Sequence, residues 1–586
     1  MKKCLLACAG FLSAVAAGAA AGDFETAAFQ RAIDEAAARG GGRVVVPTGR
    51  YVVGQLDLRS NVELHLEKGA VLEGAVGLDN YRVTTLPFSE GTWSAVVSAV
   101  AVTNVAITGE GEIFGNGTAW PQPASYGGNQ EGSRPRGIFF ADCRGVRLSD
   151  FTLHDSACWG VVFKCCDGVD VRRLVIDSHA NANNDGIDIE ARNVVIADCD
   201  IDTGDDAICL KSNNPGFIVE NVLVTNVTAR SHCAGLKLGT ASHGTMRNIA
   251  FVDCRTEAPR RDFPDLRPGR NCLWFVNANH ARDYPGVGAD EPSGLSSIAI
   301  ENVDGGIVED VTFRRISAKG SCVPIFIRGG TRTGRACGTP PSDKRIFRRL
   351  LLEDIEGESL SHIASSITGV EGCRVKDVTL RNVKIVCRGG GDTEAERTRP
   401  VPEAAGKYPN ANLFGCILPA YGLYVRHVDG LQLDNVSFPL APGTSDRREP
   451  IVFDDVCSTC SLGIPLPSAN SRREISMSRE RSIWSKSASI DSTSTRYEAA
   501  CPFCVMRTGR CVLRTRPMYV ERLLRHSENG TTSSEGRQRR MGISRTFGMA
   551  PSPVRFIENG DIVQYSAFGI KGQNLQIHDR GKEVSQ

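Results

Sequence analysis

A short pattern recurs along most of this chain: an asparagine, glycine or acidic residue followed by alternating apolar and polar residues. In the central region its copies start about 23 to 28 residues apart, which lies in the range of solenoid repeats. Such alternation is typical of strands, and no helical pattern separates the copies. The repeat therefore predicts an all-β fold, a right-handed parallel β-helix with one coil per copy. Copies occur at residues 61–66, 104–107, 145–148, 168–171, 193–196, 221–224, 248–251, 309–313, 376–380 and 430–433.

The first forty residues predict two further elements. Lys2 and Lys3 precede an apolar run that ends in three alanines, which is the pattern of a secretory signal peptide over residues 1–21. We therefore expect export to the periplasm or the extracellular space. Residues 24–39 have an apolar face and are followed by three glycines, so they predict a helix that caps the open end of the solenoid.

Composition excludes several classes of function. The net charge of +1 gives no basis for nucleic-acid binding, and no central stretch approaches the roughly 20 apolar residues of a membrane span. The 21 cysteines show no regular disulfide framework. Many of them, such as Cys199, Cys209 and Cys254, lie within apolar repeats, where we expect small buried side chains.

The repeat ends near residue 456, so residues 22–456 are predicted to form one β-helix domain. Residues 457–586 are rich in Ser and Arg, and we expect a tail that is disordered or not part of the catalytic fold. Its two Cys-x-x-Cys pairs are too far apart for a typical zinc ribbon, so we expect no metal. Four stretches that interrupt the repeat predict loops that wall a groove: residues 81–98, 119–136, 258–292 and 389–413.

Two acidic clusters lie about one repeat apart. Asp185 belongs to an Asn-Asn-Asp-Gly motif, and Asp205 and Asp206 follow a Thr-Gly pair. On neighbouring coils, about 4.8 Å apart, their carboxyl groups would repel one another, which leaves a protonated acid beside an ionised base. Glycosidic bond hydrolysis needs that pair. We expect the neighbouring Gly186 and Gly204 to bend the backbone so that the acids reach one groove.

These motifs resemble glycoside hydrolase family 28, the polygalacturonases and rhamnogalacturonan hydrolases of the pectin-lyase-like solenoid fold. The family carries Asn-Thr-Asp and then Gly-Asp-Asp about a coil later; this chain has Asn-Asn-Asp at 183–185 and Gly-Asp-Asp at 204–206. The resemblance implies an inverting mechanism without a cofactor. It makes Asp205 the general acid, and it makes Asp185 and Asp206 the residues that position and deprotonate water.

Two further family motifs differ in this chain. Ala234 occupies the place of the histidine in Gly-His-Gly, and Cys-Leu-Trp-Phe at 272–275 stands where Arg-Ile-Lys is expected. In the family these basic residues bind the sugar carboxylate, so other cations must replace them here. The candidate substrate-binding residues are Asn183, Lys237, His243 and Arg328. A structural salt bridge for Lys237 and a surface turn for His243 are the alternative interpretations.

Together these features predict an exported, monomeric enzyme. We expect it to hydrolyse α-linked galacturonic-acid-type bonds in pectic poly- or oligosaccharide, and the long loops favour exo-action. One alternative is a pectate lyase that uses calcium held by carboxylates on the same fold. The other is a non-catalytic carbohydrate-binding β-helix, which would present a row of exposed aromatic side chains.

Overall fold

The computed structural model describes residues 21–121, 134–261, 284–288, 292–332, 344–391, 394–457, 461–463, 503–507, 510–513, 554–558 and 561–565. Residues 1–20 of the predicted signal peptide and the 272–275 motif lie outside these residues. The α-helices are Ala21–Ala38 (α1) and Glu394–Thr398 (α2), and the 3₁₀ turns are Leu78–Asn80 and Gly117–Ala119.

The strands, in chain order, are Gly42–Val46 (β1), Gly49–Val53 (β2), Leu56–Asp57 (β3), Val62–Leu66 (β4), Ala70–Gly74 (β5), Thr84–Thr85 (β6), Thr92–Trp93 (β7), Ala95–Val100 (β8), Thr103–Thr108 (β9), Glu112–Phe114 (β10), Arg136–Ala141 (β11), Arg144–Ser149 (β12), Thr152–His154 (β13), Val161–Arg172 (β14), Val175–Ser178 (β15), Ile187–Ala197 (β16), Asp200–Thr203 (β17), Ile208–Ser212 (β18), Ile218–Thr225 (β19), Thr228–Ser231 (β20), Ala234–Ser242 (β21), Thr245–Val252 (β22), Arg255–Glu257 (β23), Gly294–Asn302 (β24), Ile307–Gly329 (β25), Ile346–Ser359 (β26), Ser365–Thr368 (β27), Val375–Cys387 (β28), Ala420–Ser437 (β29), Glu449–Cys457 (β30), Ser461–Gly463 (β31), Phe503–Arg507 (β32), Arg510–Leu513 (β33), Val554–Glu558 (β34) and Asp561–Tyr565 (β35).

The strands of successive coils pair in parallel and form three stacks, so the predicted right-handed parallel β-helix is confirmed. Stack A begins β1, β4, β9, β12 and continues through β19 and β22. Stack B begins β2, β5, β10, β13 and continues through β17 and β20. Stack C contains β3, β8, β11, β14, β16, β18, β21 and β24, followed by part of β25, then β27 and part of β29.

The recurring asparagine has a clear structural reason. Asn193, Asn221 and Asn248 all have positive φ, between 52° and 56°, at the turn that leads into stack A. Asparagine tolerates this left-handed conformation better than most residues. Their side chains also form a ladder between coils, since the Asn221 amide donates to Asn193 at 2.9 Å and the Asn248 amide donates to Asn221 at 2.6 Å.

Helix α1 closes the first coil, as predicted, although it begins three residues earlier than the expected residue 24. Its buried Phe29, Ile33 and Ala36 join the apolar cluster that continues to Val456 inside the coils. Like side chains stack within that core, for example Phe251 on Phe313 with ring centroids 4.6 Å apart. The predicted cysteines at 199, 209 and 254 are buried.

The first interruption of the repeat is shorter than predicted. β6 and β7 form a small antiparallel hairpin within 81–98, but the stretch ends in β8, whose apolar residues join stack C. The 389–413 stretch contains α2. Most of 119–136 and 258–292 lies outside the described residues.

The described segments after residue 457 are few. β32 and β33 pair antiparallel to each other, and β32 also pairs with β30. The chain divides into two compact units, Met1–Thr515 and Arg516–Gln586. The second contains the β34–β35 hairpin. Across the described ranges, no helix has both the length and the apolar character needed to cross a membrane.

Candidate active site

The outward face of stack C is charged. Within β16 and β18, Ile187 and Leu210 point into the core, whereas the alternate residues Asp188 and Lys211 point outward. The outward side chains are nonetheless largely buried, because loops cover this face. A row of buried charges under loops is costly unless the charges are paired, so it marks a candidate functional site.

The two acidic motifs form neighbouring turns at the edge of stack C. Asp185 lies two residues before β16, and Asp205 and Asp206 lie between β17 and β18. The Gly160 amide donates to the Asp185 carbonyl at 2.7 Å, and the Gly186 amide donates to the Asp206 carbonyl at 2.8 Å. These turns therefore lie directly above one another. The structure brings one carboxylate oxygen from each of the three aspartates within 4.8 Å of the others.

The glycines in these turns differ from expectation. Neither Gly186 nor Gly204 has positive φ, so left-handed backbone is not the reason for either. A Cβ at position 186 would lie 2.4 Å from the Ala207 carbonyl oxygen, which no side chain tolerates. A Cβ at position 204 would meet nothing closer than 3.7 Å. Close packing of adjacent coils thus requires Gly186, whereas Gly204 has room for a methyl group.

Hydrogen bonds hold the second acidic turn in place. The carbonyl of Asp205 accepts from the Thr203 hydroxyl at 2.7 Å and from the Ser231 hydroxyl at 2.6 Å. The Asp205 carboxylate accepts from the Asp206 amide at 2.9 Å. With β17 ending at Thr203 and β18 starting at Ile208, the intervening turn lets consecutive aspartates share one groove.

Two lysines lie beside the aspartates. The ammonium group of Lys211 is 3.1 Å from Asp188, 3.7 Å from Asp185 and 3.6 Å from the centre of the Trp159 ring. Such an ion pair and cation–π contact favour the charged amine in a buried setting.

The second ammonium group, that of Lys237, is 2.9 Å from Asp206 and 3.7 Å from Glu301. We call Asp185, Asp205 and Asp206 the acid cluster. The substrate-binding candidate Lys237 therefore lies beside the acid cluster, where it is ion-paired. This contact agrees with the alternative interpretation of a salt bridge and leaves its role in substrate binding a prediction.

The surroundings of these acids raise the pKa of several of their carboxyl groups. Burial, together with Asp188 and Asp205, raises the pKa of Asp185 well above its ordinary value. Burial and then Asp206 raise the pKa of Asp205 to about 6, against the opposing effect of Lys237. Burial also raises the pKa of Asp188 to about 7, although Lys211 lowers it. The cluster can therefore carry both protonated and ionised carboxyl groups near neutral pH.

Two other predicted binding residues have hydrogen-bond partners outside the three aspartates. Asn183 has φ of 56° and accepts a hydrogen bond from Arg134 at 3.2 Å. The Arg328 guanidinium donates to the carbonyl groups of Gly369 at 3.2 Å and Glu403 at 2.7 Å. Both side chains therefore hold neighbouring segments together, and their contact with substrate remains a prediction.

His243 is buried and is not part of an exposed turn, so the alternative interpretation of a surface turn is wrong. It follows β21, and its Nε2 lies 3.6 Å from Asp304. Neither ring nitrogen has a hydrogen-bond partner among the described residues. Burial lowers the pKa of this imidazole, which favours its neutral form.

Ala234, at the position of the family histidine, contributes through its backbone. Its amide donates to the Asp206 carboxylate at 3.1 Å. The strand of stack C that follows β21 is β24, in which Ala299 lies beside Lys237. The neighbour of Lys237 on the next coil is therefore the small side chain of Ala299.

Sequence reasoning missed three charged residues of this site: Asp188, Lys211 and Glu301. Burial, and after it Lys237 as an opposing effect, sets the pKa of Glu301 at about 7. Each occupies an outward position of a stack C strand. A charge at the polar position of a strand usually indicates solvent exposure, so these residues did not stand out. Their position on coils next to the acidic motifs was the one sequence feature that could have identified them as site residues.

Loops close the face above and below the acids. The Lys164 ammonium donates to the Phe88 carbonyl of the β6–β7 hairpin at 2.5 Å and pairs with Glu190. On the same side, Trp93 stacks on Phe139 at 4.7 Å and covers the earlier coils. Arg328 and the loop at Glu403 cover the later coils. Loop segments therefore contact stack C on both sides of the acids.

The three aspartates also offer the oxygen donors that a hard cation prefers. However, the ammonium groups of Lys211 and Lys237 already lie 3.7 Å and 2.9 Å from Asp185 and Asp206. Their positive charge disfavours a divalent cation between the carboxylates.

Comparison with known proteins agrees with this architecture. Residues 38–258 match the model of Glycosyl hydrolases family 28. A probable polygalacturonase of Vitis vinifera is 27% identical over 249 residues, which are 39% of this chain and 50% of that protein. An endo-polygalacturonase of Pectobacterium parmentieri is 26% identical over 358 residues, 58% of this chain and 78% of that protein.

A solved structure shows the same fold. The family 28 exopolygalacturonase of Yersinia enterocolitica matches with a TM-score of 0.51 at 18% identity, over 75% of this chain and 76% of that one. The chain spans 41% to 50% of the length of three relatives from Vitis vinifera and Arabidopsis thaliana. Over residues 38–258, which include both acidic turns, the chain is therefore similar to glycosyl hydrolase family 28.

Proposed function

We propose that this protein is a glycosidase that hydrolyses α-linked galacturonic-acid-type bonds in pectic poly- or oligosaccharide. The observation that carries the proposal is the group of three carboxyl oxygens within 4.8 Å on adjacent turns of stack C. Similarity to proteins named polygalacturonases supports the substrate class.

The chemistry divides among the three aspartates. Asp205 in its protonated form gives a proton to the glycosidic oxygen as the bond from that oxygen to the anomeric carbon breaks. Water attacks the anomeric carbon and loses a proton to Asp206 or Asp185. One proton leaves Asp205 and one arrives on the base, so the cluster is restored by a single proton transfer.

The raised pKa of Asp205, about 6, supports its role as the acid, because burial and Asp206 both favour its protonated form. Asp206 is suited to the base, because an ammonium group lies 2.9 Å from its carboxylate. Such a division, with two carboxyl groups in unlike surroundings, is the general way in which proteins separate acid from base.

We propose an inverting reaction on the basis of the resemblance to family 28. The oxygens within 4.8 Å are closer than the roughly 6.5 to 9.5 Å that separates acid and base in most inverting enzymes. The stereochemistry is therefore supported by the family pattern and not by this spacing, and the anomeric form of the product is the decisive measurement.

We further propose exo-action. The hairpin carbonyl at Phe88 and the loop carbonyl at Glu403 bind Lys164 and Arg328, which lie on opposite sides of the acid cluster along stack C. A chain passing through the site would meet these loops, whereas a chain end would fit between them. Removal of one sugar at a time follows from such a pocket.

Incubation with defined oligogalacturonides tests these proposals together. Separation by size, with NMR of the newly formed anomer, should show one monosaccharide released per cleavage with inverted configuration. An unsaturated product that vanishes with chelator would instead identify a calcium-dependent lyase. Sugar binding without cleavage would identify a non-catalytic lectin-like protein.

We also propose export through residues 1–21, since they have the basic start, apolar run and small-residue end of a signal peptide. Expression of the full chain in a Gram-negative host tests this proposal. Mass spectrometry should find a new N-terminus near residue 22 in the periplasmic fraction. A full-length chain retained in the cytoplasm would contradict export.

A further inference from the structure

The carboxyl groups of the acid cluster have unequal partners. Asp206 is stabilised at both oxygens, by the Lys237 ammonium at 2.9 Å and by the Ala234 amide at 3.1 Å. In Asp185, one buried oxygen has no hydrogen-bond partner among the described residues, and the ammonium of Lys211 is 3.7 Å away. Donors that bind a carboxylate favour its ionised form, so Asp206 is the member best suited to carry the negative charge.

Lys237 is a buried residue beside the three aspartates. It is an outward residue of β21, and its strand neighbours are Cys209 on one side and Ala299 on the other. Burial alone would lower the pKa of Lys237, but Asp206 and Glu301 raise it well above its ordinary value. The amine therefore remains charged and cannot leave Asp206 without losing its closest ion pair.

We propose that Lys237 is a positioning residue that keeps Asp206 ionised and thereby leaves the proton of the acid cluster to Asp205 and Asp185. The inference rests on the proposed glycosidase function, and it assigns the base within it. Among the described residues, Lys237 is the one cation within 4 Å of Asp206.

Other charged groups surround this pair, and among them the carboxyl groups of Asp185 and Asp205 repel the charge of Asp206, whereas Lys237 attracts it. Asp188 and Lys211 neutralise each other at 3.1 Å, while Glu301 lies on the far side of Lys237. The titratable groups that face the pair or its immediate neighbours are Asp185, Asp188, Asp205, Cys209, Lys211, Cys233, Glu301 and Tyr408, with Glu90, Asp304 and Arg332 beyond them.

A competing role for Lys237 makes a different prediction. If its ammonium bound the carboxylate of the sugar, its loss would weaken binding of uronides at every pH. If it keeps Asp206 ionised, its loss lets Asp206 hold a proton to higher pH, and the enzyme then lacks a base in acid. The two roles separate as a KM effect and a shift of the pH profile.

The test is the pH dependence of kcat/KM for Lys237→Met on an oligogalacturonide. We expect the acidic limb of the profile, where kcat/KM falls as pH is lowered, to move up by about one pH unit or more. At a given pH on that limb kcat/KM should be about tenfold lower than in wild type, and raising the pH should restore it. Lys237→Arg keeps the positive charge and should keep the wild-type limb. Lys376→Met removes an exposed lysine of β28, away from the acids, and should leave the limb unmoved. An unmoved limb in Lys237→Met with a raised KM would overturn the inference.

A second readout does not depend on activity. Infrared spectra of protein labelled with carbon-13 at the aspartate carboxyl groups report protonated carboxyl groups directly. Lys237→Met should show an additional carboxylic acid band at pH values where wild type lacks it, and the Lys237→Met/Asp206→Asn double variant should lose that band. Absence of that band in folded Lys237→Met would refute the role of Lys237. A wild-type protein that fails to cleave pectic oligosaccharides would refute the glycosidase while leaving this spectral test intact.

Discussion

The amide of Gly186 donates to the carbonyl of Asp206 at 2.8 Å, so the turn that carries Asp185 is hydrogen-bonded to the turn that carries the Asp pair. The two acidic motifs are thus joined by the same inter-coil ladder that builds the β-helix. Their separation is set by the coil spacing, and side-chain freedom contributes little. The catalytic proposal therefore depends on the packing of two adjacent coils.

Loss of the acid should stop turnover without unfolding the protein. In Asp205→Asn the carboxyl group that protonates the leaving oxygen is gone, and we expect kcat to fall by about 10² to 10⁴. Asp198→Asn is a matched control, because Asp198 lies in a turn with φ of 60° and accepts from Asn226 at 2.7 Å. Reducing-end assays with circular dichroism on both variants measure this; near-normal turnover in Asp205→Asn would refute the assignment.

Activity should fall as pH rises above about 6. The general acid must be protonated to act, and the pKa of Asp205 is raised to about 6 by burial and by Asp206. Deprotonation through that value removes the acid, so kcat should decline on the alkaline side. A full pH profile of kcat on a pectic oligosaccharide measures the limb; maximal kcat well into the alkaline range would contradict this prediction.

Stability should change with pH in the opposite sense to that of a salt-bridged carboxylate. The folded pKa of Asp188 is raised from 3.8 to about 7 by burial, against Lys211, so the folded state binds more protons than the unfolded state. This contribution is complete below pH 3.8 and is lost as pH rises to about 7. Removing the titrating group should flatten the dependence.

Urea unfolding of wild type and Asp188→Asn from acid to neutral pH measures this effect. The difference in unfolding free energy should move in favour of the variant as pH rises. Parallel curves for the two proteins at every pH would show that Asp188 keeps an ordinary pKa.

Much of the fold could be predicted because its determinants are local. The asparagine of each repeat adopts positive φ and bonds to the next coil, so one residue type records each turn, as at Asn221. The acid cluster was accessible for the same reason, since its two motifs lie one coil apart in sequence.

The remaining site residues depend on long-range packing. Lys211 and Glu301 occupy polar positions of strands, where a charge ordinarily faces solvent. Only the covering loops make them buried partners of the acids, and those loops carry no repeat from which their path could be inferred. His243 was open to misinterpretation for that reason, since its burial beside Asp304 comes from a later coil.

Two glycines in equivalent turns should differ in their tolerance of alanine. At Gly186 a Cβ would lie 2.4 Å from the Ala207 carbonyl oxygen, so Gly186→Ala must push adjacent coils apart and should cost about 2 kcal/mol or more. At Gly204 the nearest atom to a Cβ is 3.7 Å away, so Gly204→Ala should change stability by less than about 1 kcal/mol. Denaturant midpoints compare the pair, and equal losses would show that the coils are not in the close contact described.

Opening the pocket should change the pattern of products. The β6–β7 hairpin lies over the coils before Asp185, and the Phe88 carbonyl binds Lys164 at 2.5 Å. Replacing residues 86–91 by a short Gly-Ser turn removes this cover and leaves the three aspartates in place. If the hairpin blocks passage of a polymer, the variant should release longer oligosaccharides and lower the viscosity of polygalacturonate faster per bond cleaved. Phe88→Ala keeps the backbone carbonyl and is the matched control, for which the wild-type product pattern is expected. An unchanged product distribution in the shortened hairpin would show that exo-action, if observed, has another structural cause.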